Sequence, residues 1–275
     1  MEKEPIYQSD FNTLRCCVII PTYNNSTTLS RVLYDVLQYT TNVLVVNDGS
    51  TDDTSSILKS FSELHVVTIA VNKGKGNALK TGFKSAEEFG YEYAVSMDSD
   101  GQHYPDDLPV FLEALKNREP NDPPLLVVGS REMDGPDIPE KSSIGNRFSS
   151  FWFWVETGVK LQDTQCGYRL YPLKVVNKMK LYTSRFELEI EVLVKAVWKG
   201  VKVINLPVKV LYDPKERVTH FRPFQDVARI TVLNIWFLGV AFFYIWPRNI
   251  LRKMKRSKTE AVSKETFSDN NLPVE

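Results

Sequence analysis

Short apolar runs alternate along the chain with polar segments in which apolar side chains recur every three or four residues. The runs lie at residues 16–20, 43–46, 64–70, 91–97, 125–128 and 201–210. The polar segments lie at 27–39, 51–61, 76–89 and 106–117. Branched and aromatic side chains favour strands in the runs, whereas the longer spacing favours amphipathic helices. This alternation predicts an α/β fold in which helices flank a mostly parallel sheet.

Two aspartates follow the apolar run at 91–97, in the segment Val95-Ser-Met-Asp98-Ser-Asp100-Gly-Gln102-His103. Open α/β sheets bind ligands at the carboxyl ends of their strands, so we expect both carboxylates to lie at a ligand site. Hard oxygen ligands in such a place suit Mg²⁺ or Mn²⁺ that carries a diphosphate. A strand followed by an Asp-Gly turn would produce the same pattern without a metal.

Polar side chains also follow the first three runs. Tyr23 supplies an aromatic ring that can stack on a base, and Asp48 can accept hydrogen bonds from a base or a ribose. The alternative for residues 47–52 is a plain turn with a helix cap. The segment 72–78 places Lys75 and several backbone amides at a helix start, where anions bind. It matches neither a P-loop nor a Gly-x-Gly-x-x-Gly fingerprint.

Taken in order, these segments resemble family 2 glycosyltransferases, and more narrowly the branch of dolichol-phosphate mannose synthases and polyprenyl-phosphate glycosyltransferases. The resemblance covers about residues 15–210 and rests on Pro21-Thr-Tyr23-Asn24, Asn47-Asp48-Gly49-Ser50-Thr51-Asp52, Asn72-x-Gly-x-Gly76-x-Ala78, Asp98-Ser-Asp100-Gly-Gln102-His103, Gly129-Ser130-Arg131 and Asp163-x-x-Cys166-Gly167-Tyr168-Arg169. It implies a GT-A fold, a nucleotide-sugar donor, a divalent metal and inversion at the anomeric carbon. Asn25 and Asn47 depart from the acidic residues that are frequent in this family.

The resemblance also implies roles on the donor side. It makes Asp48 a nucleoside contact, Asp98 a donor or metal contact, and Asp100 and Gln102 metal ligands, with Asp98 and Asp100 at the catalytic centre. The other donor-binding residues that we expect are Pro21, Tyr23, Asn24 and Lys75. A metal on the diphosphate would neutralise charge that develops on the leaving nucleoside diphosphate.

The acceptor side is predicted from arginines and hydroxyls later in the chain. In the lipid-phosphate branch, arginines at the places of Arg131 and Arg147 hold the acceptor phosphate, and Ser149 or Ser150 would complete a phosphate clamp. Surface arginines are the alternative interpretation. A phosphate monoester has a second pKa of about 6, so it is already a nucleophile at neutral pH and needs no strong base. A hydroxyl acceptor would need one, and Asp163 is the candidate unless it only shapes the loop before Gly167.

Residues 212–223 form a charged segment bounded by proline, which is typical of a mobile loop that closes over a site. Arg217, His220 and Arg222 are its candidate contacts to the diphosphate, with Arg217 as a catalytic candidate. Acids beside apolar residues at 185–191 fit either a helix entrance near the active site or a solvated face, so we assign them no catalytic role.

An uncharged apolar segment at 230–246 lies between Arg229 and Arg248. Seventeen residues of helix reach about 26 Å, which is the short limit for crossing a bilayer. The basic residues that follow would favour an anionic cytosolic leaflet: Arg248, Arg252, Lys253, Lys255, Arg256 and Lys258. We therefore favour an interfacial or re-entrant segment over a true span, with a core helix or dimer contact as the alternative. Residues 148–155 predict a second apolar helix, along which a lipid tail could lie.

Charge and cysteine content limit the remaining classes. Lys plus Arg and Asp plus Glu both total 34, so no overall field favours nucleic acid. Cys16, Cys17 and Cys166 show no zinc-type spacing and fit reduced cytosolic thiols. The polar first residues predict no secretory signal. The sequence thus predicts a membrane-associated enzyme whose catalytic domain faces the cytosol.

These observations predict five segments. They are a polar lead at 1–14, a GT-A domain at 15–211, a mobile loop at 212–223, a membrane-associated helical segment at 224–256 and a disordered tail at 257–275. The predicted activity is inverting transfer of a hexose from a nucleotide-diphosphate sugar to a polyprenyl phosphate. The alternatives are transfer to a glycan or other hydroxyl with Asp163 as base, and a noncatalytic nucleotide-sugar-binding scaffold at the membrane.

Overall fold

The central sheet of this computed structural model contains seven strands within the described residues, which are 4–131, 140–211 and 222–248. The strands are β1 (Cys16–Thr22), β2 (Val43–Asp48), β3 (His65–Ile69), β4 (Tyr93–Ser96), β5 (Leu125–Arg131), β6 (Arg169–Pro172) and β7 (Lys202–Val208). Their order in the sheet is β3-β2-β1-β4-β6-β5-β7. Every pairing is parallel except those of β6 with β4 and β5. The predicted α/β class with a mostly parallel sheet is confirmed.

Helices connect the strands. They are α1 (Gln8–Thr13), α2 (Ser26–Leu37), α3 (Thr54–Lys59), α4 (Lys75–Glu88), α5 (Leu108–Lys116), α6 (Glu140–Thr157), α7 (Leu173–Val176), α8 (Glu187–Trp198) and α9 (Pro223–Val240). A 3₁₀ turn at Pro105–Asp107 precedes α5, and a π-helical turn at Ala241–Ile245 follows α9. The four helices predicted from spacing are α2 to α5, and each observed end lies within three residues of the predicted one.

The core forms on both faces of the central strands. All residues of β1 and β2 are buried, as expected for parallel strands that helices cover on both sides. Helix α4 approaches these strands closely at Gly82, where an added Cβ would lie 2.8 Å from Ile19 Cγ2 and 3.2 Å from Val46 Cγ2. Close packing of this helix fixes the position of its first residue, Lys75, at the carboxyl ends of the strands.

Acidic residues at the predicted helix starts have different partners. Asp52 accepts hydrogen bonds from the backbone N–H of Ser26 and of Thr54, at 3.0 and 3.1 Å, so it satisfies the first turns of α2 and α3 together. Asp107 instead accepts the backbone N–H of Lys209 at 2.6 Å and makes no side-chain cap on α5.

Strand β6 was not expected from the sequence. It has four residues, begins with the fully buried Arg169 and runs antiparallel between β4 and β5. The Ser96 hydroxyl donates to the backbone carbonyl of Gly167 at 2.7 Å. As a result, residues 163–168 lie beside the segment that follows β4.

The chain divides into two units, Met1–Thr231 and Val232–Glu275. In the second unit the helical conformation continues to residue 248, and its large exposed side chains include Val232, Ile235, Phe243 and Tyr244. Helix Phe224–Arg248 is long and apolar enough to cross a membrane by length and composition. Residues 212–221 of the loop predicted at 212–223 lie outside the described residues, as do the residues after 248, which include most of the basic cluster and the predicted disordered tail. Those assignments stay predictions.

Candidate active site

A cleft of about 430 Å³ opens at the carboxyl ends of β1, β2 and β4. Most of the predicted donor-side and catalytic residues line it: Pro21, Tyr23, Asp48, Lys75, Asp98 and Asp100. The cleft also contains Arg185 and Phe186, which no sequence motif indicated, and Arg222, which was a loop candidate. The other loop candidates, Arg217 and His220, lie outside the described residues.

Asp48 connects the end of β2 to the start of α4. Its carboxylate accepts the backbone N–H of Lys73 at 3.0 Å and of Gly74 at 2.7 Å. Burial raises the pKa of Asp48, and these two hydrogen bonds together with the Arg185 charge oppose that rise. Gly74 has φ +98, and an added Cβ would lie 2.7 Å from Arg185 Cγ, so glycine is required where the loop meets residue 185. Asp48 thus holds the loop that presents Lys75.

Two asparagines brace the loop after β1. Asn24 adopts a left-handed φ of +49, and its side-chain oxygen accepts the Thr51 backbone N–H at 2.8 Å. Asn25 donates to the Ser99 hydroxyl at 2.9 Å, while its buried side-chain oxygen has no hydrogen-bond partner among the described residues. Asn24 therefore joins the loops after β1 and β2, and its predicted donor contact stays a prediction.

The Lys75 ammonium lies between two carboxylates. Its Nζ is 2.7 Å from Asp98 Oδ1 and 3.2 Å from Glu189 Oε2. Gly167 packs against this ion pair: an added Cβ there would lie 2.6 Å from Asp98 Oδ2 and 2.9 Å from Lys75 Nζ. Burial has the largest single effect and favours the neutral form of Asp98, but the charge and hydrogen bond of Lys75, together with the other cations nearby, outweigh it and lower the pKa of Asp98. The two carboxylates raise the pKa of Lys75 despite its burial, so this group stays charged.

The residues after β4 carry oxygen atoms of the kind that bind hard cations. Asp100 accepts the Gln102 backbone N–H at 3.0 Å, and the Gln102 backbone carbonyl accepts the Leu211 N–H at 2.8 Å. Within the described ranges, no group of three or more His, Cys, Asp or Glu side chains could enclose a metal ion. Asp98 and Asp100 nevertheless line one wall of the cleft. This donor set fits Mg²⁺ or Mn²⁺ that shares its coordination shell with water and phosphate oxygens.

Asp163 is fully buried and bound on both oxygens. Arg131 donates to it from Nε at 2.7 Å and from Nη2 at 3.1 Å, and the backbone N–H groups of Gln165 and Cys166 donate at 2.8 and 3.1 Å. Burial has the largest single effect and opposes ionisation, but the hydrogen bonds and charge of Arg131 and the Gln165 N–H together outweigh it and lower the pKa of Asp163. These contacts favour the interpretation in which Asp163 shapes the loop before Gly167 over that of a general base.

The predicted clamp residues on α6 point in different directions. Arg147 is exposed, whereas Ser149 is buried and accepts the Thr164 hydroxyl at 2.8 Å. The Ser150 hydroxyl lies 3.3 Å from the same Thr164 oxygen. The two serines tie α6 to the loop at 162–166, and the structure does not bring Ser149 to the exposed side where Arg147 lies.

His103 lies close behind the cleft wall. Its ring stacks on Tyr168 with 5.0 Å between centroids, and burial lowers the pKa of His103 to about 4. The neutral ring carries no charge at physiological pH, so the cations of this region are the lysine and the arginines.

Comparison with known protein families identifies the family to which this chain belongs. The family model described as Glycosyl transferase family 2 matches residues 17–179. The chain belongs to glycosyl transferase family 2. The resemblance stated from the motifs is therefore confirmed, and the match covers every cleft residue that the motifs indicated.

Two relatives of this family 2 chain have names that include a lipid phosphate. UDP-N-acetylglucosamine–dolichyl-phosphate N-acetylglucosaminyltransferase of Methanococcus voltae is 31% identical, over 71% of this chain and 85% of that protein. Undecaprenyl-phosphate mannosyltransferase of Micrococcus luteus is 28% identical, over 71% of this chain and 83% of that protein.

A solved structure shows the same fold. Glucosyl-3-phosphoglycerate synthase of Mycobacterium tuberculosis, in complex with UDP, superposes with a TM-score of 0.61 at 18% identity and covers 85% of this chain and 82% of its own. The same enzyme has been crystallised with Mn²⁺ and UDP-glucose. The GT-A fold predicted for this family 2 chain is confirmed.

Sequence reasoning assigned no role to Arg185, Phe186 and Glu189, although one of its two interpretations put their segment at a helix entrance near the active site. They lie at or just before the start of α8, in the segment where acids alternate with apolar residues. That pattern did carry a signal, because Glu187, Glu189 and Glu191 are all buried in the structure. Alternating acids that are buried rather than solvated would have indicated paired cations nearby.

Proposed function

We propose that this family 2 glycosyltransferase moves a hexose from a nucleotide-diphosphate sugar to a polyprenyl phosphate, with inversion at the anomeric carbon. The observation that carries the donor half is the cleft, which combines an aromatic ring, Asp48, the Lys75 ammonium and the Asp98–Asp100 pair in one space of about 430 Å³. A nucleoside diphosphate needs these groups: a surface for the base, an acceptor for ribose or base hydrogens, and cations for phosphate.

The positions of these side chains support our assignment of the donor contacts. Tyr23 and Asp48 face the nucleoside, and Lys75 and Arg185 face the diphosphate. Asp98, Asp100 and Gln102 would hold Mg²⁺ or Mn²⁺, which supplies Lewis-acid neutralisation of the leaving diphosphate when bound. The acceptor phosphate oxygen attacks the anomeric carbon while the bond between that carbon and the diphosphate oxygen breaks. The new carbon–oxygen bond forms on the opposite face, so the configuration inverts, and the nucleoside diphosphate leaves.

The contacts of Asp163 and the ionisation of a phosphate acceptor support the acceptor half of the proposal. Asp163, the candidate base for a hydroxyl acceptor, is occupied by Arg131 and two backbone amides. A phosphate acceptor needs no base, because it is largely ionised at neutral pH. The names of the M. voltae and M. luteus relatives specify dolichyl and undecaprenyl phosphate.

Helix α6 offers a surface for such a lipid. Phe148, Phe151 and Trp154 are 55%, 50% and 41% exposed, and they recur every three residues beside the exposed Arg147. The Lys160 ammonium lies 5.5 Å from the Trp154 ring centroid. Aromatic rings flanked by cations suit the headgroup region of a membrane. We propose that Arg147 contacts the lipid phosphate here and that this face associates with the membrane while the cleft faces the cytosol. We propose separately that helix Phe224–Arg248 associates with a membrane, because its length and composition suit one.

Transfer of radiolabelled sugar into an organic-extractable product tests the proposal. Purified protein receives polyprenyl phosphate, Mg²⁺ or Mn²⁺ and each member of a panel of UDP- and GDP-sugars, with a chelator control. We expect metal-dependent label in the lipid phase with one donor. Label only on water-soluble hydroxyl acceptors would replace the lipid-phosphate assignment, and donor binding without transfer to any acceptor would indicate a noncatalytic protein.

A further inference from the structure

Glu189 is a buried acid for which the proposed reaction has no assigned use. It lies in the first turn of α8 and is 6% exposed. Its Oε2 is 3.2 Å from Lys75 Nζ, and its Oε1 is 3.9 Å from Arg169 Nε. Oε1 has no hydrogen-bond partner among the described residues. A buried carboxylate with incomplete hydrogen bonding is costly, so its position in the site needs a reason.

Lys75 is shared between this acid and Asp98. The distances from Nζ are 2.7 Å to Asp98 Oδ1, 3.0 Å to Asp98 Oδ2 and 3.2 Å to Glu189 Oε2. An ammonium has three hydrogens to donate, so one lysine can serve both carboxylates at once. The two acids come from different parts of the chain, one after β4 and one in α8, and Lys75 links them.

Arg169 fixes the far side of this cluster. Its guanidinium donates to the backbone carbonyls of Cys166 at 2.6 Å, Glu189 at 2.7 Å and Thr164 at 3.0 Å. These contacts hold Arg169 and the backbone of Glu189 in place. The Glu189 side chain therefore has a fixed base from which to hold Lys75.

We propose that Glu189 is a positioning residue that retains Lys75 at the cleft wall when Asp98 binds the divalent cation. This inference rests on the proposed function, because it takes Asp98 as a contact to the metal–donor complex. A divalent cation at Asp98 repels the nearby ammonium. With Glu189 present, Lys75 keeps one carboxylate and stays beside the diphosphate; without it, Lys75 has Asp98 as its remaining carboxylate and competes with the metal for it.

Glu187 provides a matched control. It lies two residues earlier in the same turn of α8, is 7% exposed, and has a carboxylate oxygen without a hydrogen-bond partner among the described residues. Glu187→Gln therefore removes the same charge from the same helix turn. A difference between the two glutamines separates the Lys75 contact from a general loss of negative charge.

A binding experiment with Mn²⁺ and either UDP or GDP tests the proposal without acceptor or turnover. The electron paramagnetic resonance signal of free Mn²⁺ measures how much of the ion is bound. We expect Glu189→Gln to raise the Mn²⁺ dissociation constant about tenfold, within the coupling range of contacting residues. We expect Glu187→Gln to change it by about twofold or less, as for an uncoupled site. In a Lys75→Met background, Glu189→Gln should have an effect of about twofold or less, because its partner is gone.

Two results would overturn the inference. One is an equal effect of Glu189→Gln and Glu187→Gln; the other is a full effect of Glu189→Gln in the Lys75→Met background, which would assign it to charge alone. Thermal unfolding shows whether each variant is folded. If Glu189→Gln fails to fold, Glu189→Asp, which keeps the charge, replaces it, and we expect this variant to keep part of the wild-type Mn²⁺ affinity. A wild-type protein that binds no Mn²⁺ with either nucleotide would instead remove the proposed function.

Discussion

Gly167 is the position at which one methyl group would most directly disturb the Lys75–Asp98 ion pair. A Cβ added there would lie 2.6 Å from Asp98 Oδ2 and 2.9 Å from Lys75 Nζ. Ordinary van der Waals contact begins at 3.4 Å, so Asp98 Oδ2 would have to move by about 0.8 Å. Both atoms are the ends of flexible side chains, so the site would rearrange while the backbone stays in place.

A displacement close to 1 Å at reacting or binding groups lowers turnover by about 100-fold. We therefore expect Gly167→Ala to lower kcat/KM for the donor by about 10- to 100-fold. The free energy of unfolding should fall by only about 1–2 kcal/mol, the lower part of the range for overpacking. Activity is measured as label transferred from nucleotide sugar to lipid per folded molecule, and stability by thermal and denaturant unfolding.

Gly82→Ala is the matched control. The same methyl group would there meet Ile19 Cγ2 at 2.8 Å and Val46 Cγ2 at 3.2 Å, beneath the sheet and away from the cleft. It should lower the free energy of unfolding by about 1–3 kcal/mol and leave the activity of the folded fraction unchanged. Wild-type turnover in Gly167→Ala would refute the reasoning, since it would mean that the ion pair can be displaced without consequence.

Three further substitutions test other parts of the molecule. Asp100→Ala should abolish metal-dependent transfer with little change in melting temperature, and full activity would remove Asp100 from the metal site. Arg147→Ala should raise the KM for lipid phosphate at least about tenfold, as for a charge-assisted contact, while the donor KM stays within about twofold; equal changes would exclude an acceptor role. Burial raises the pKa of Glu156 to about 8. Between the ordinary pKa of a glutamate and about 8, Glu156 is therefore more protonated in the folded protein than in the unfolded chain. The free energy of unfolding falls as pH rises through that range. Glu156→Gln should therefore raise the melting temperature at pH 8.5 by about 4 °C or more and change it little at pH 5; the same shift at both values would contradict the assignment.

The parallel half of the sheet was predictable because its signals are local. Strands β1 and β2 are continuous apolar runs buried on both faces, and their polar ends meet at one edge. That geometry alone brings Tyr23, Asp48 and Asp98 together, so the motifs located the cleft correctly.

The features that the sequence did not predict depend on contacts between residues that are distant in the chain. Strand β6 has four residues and begins with Arg169, whose burial is possible because three backbone carbonyls accept from its guanidinium. Arg185 reaches the cleft because the backbone at residues 184 and 185 packs on Gly74, just before α4, and on Gly76 in its first turn, where an added Cβ would lie 2.5 Å from Arg185 O. Neither arrangement leaves a periodic pattern in the sequence.

The position of β6 in the sheet also has a consequence for synthesis of the protein. It lies between β4 and β5 although it follows both of them in the chain, and its pairing joins Ser96 to Arg169. At about 5–20 residues per second, a ribosome takes about 4–15 s to make the 73 residues between these two positions (169 minus 96). During that interval β4 has no neighbour on one side, and an unpaired strand edge promotes aggregation. The nascent chain therefore carries an unpaired strand edge in the middle of its synthesis, and a chaperone bound to that edge would protect it.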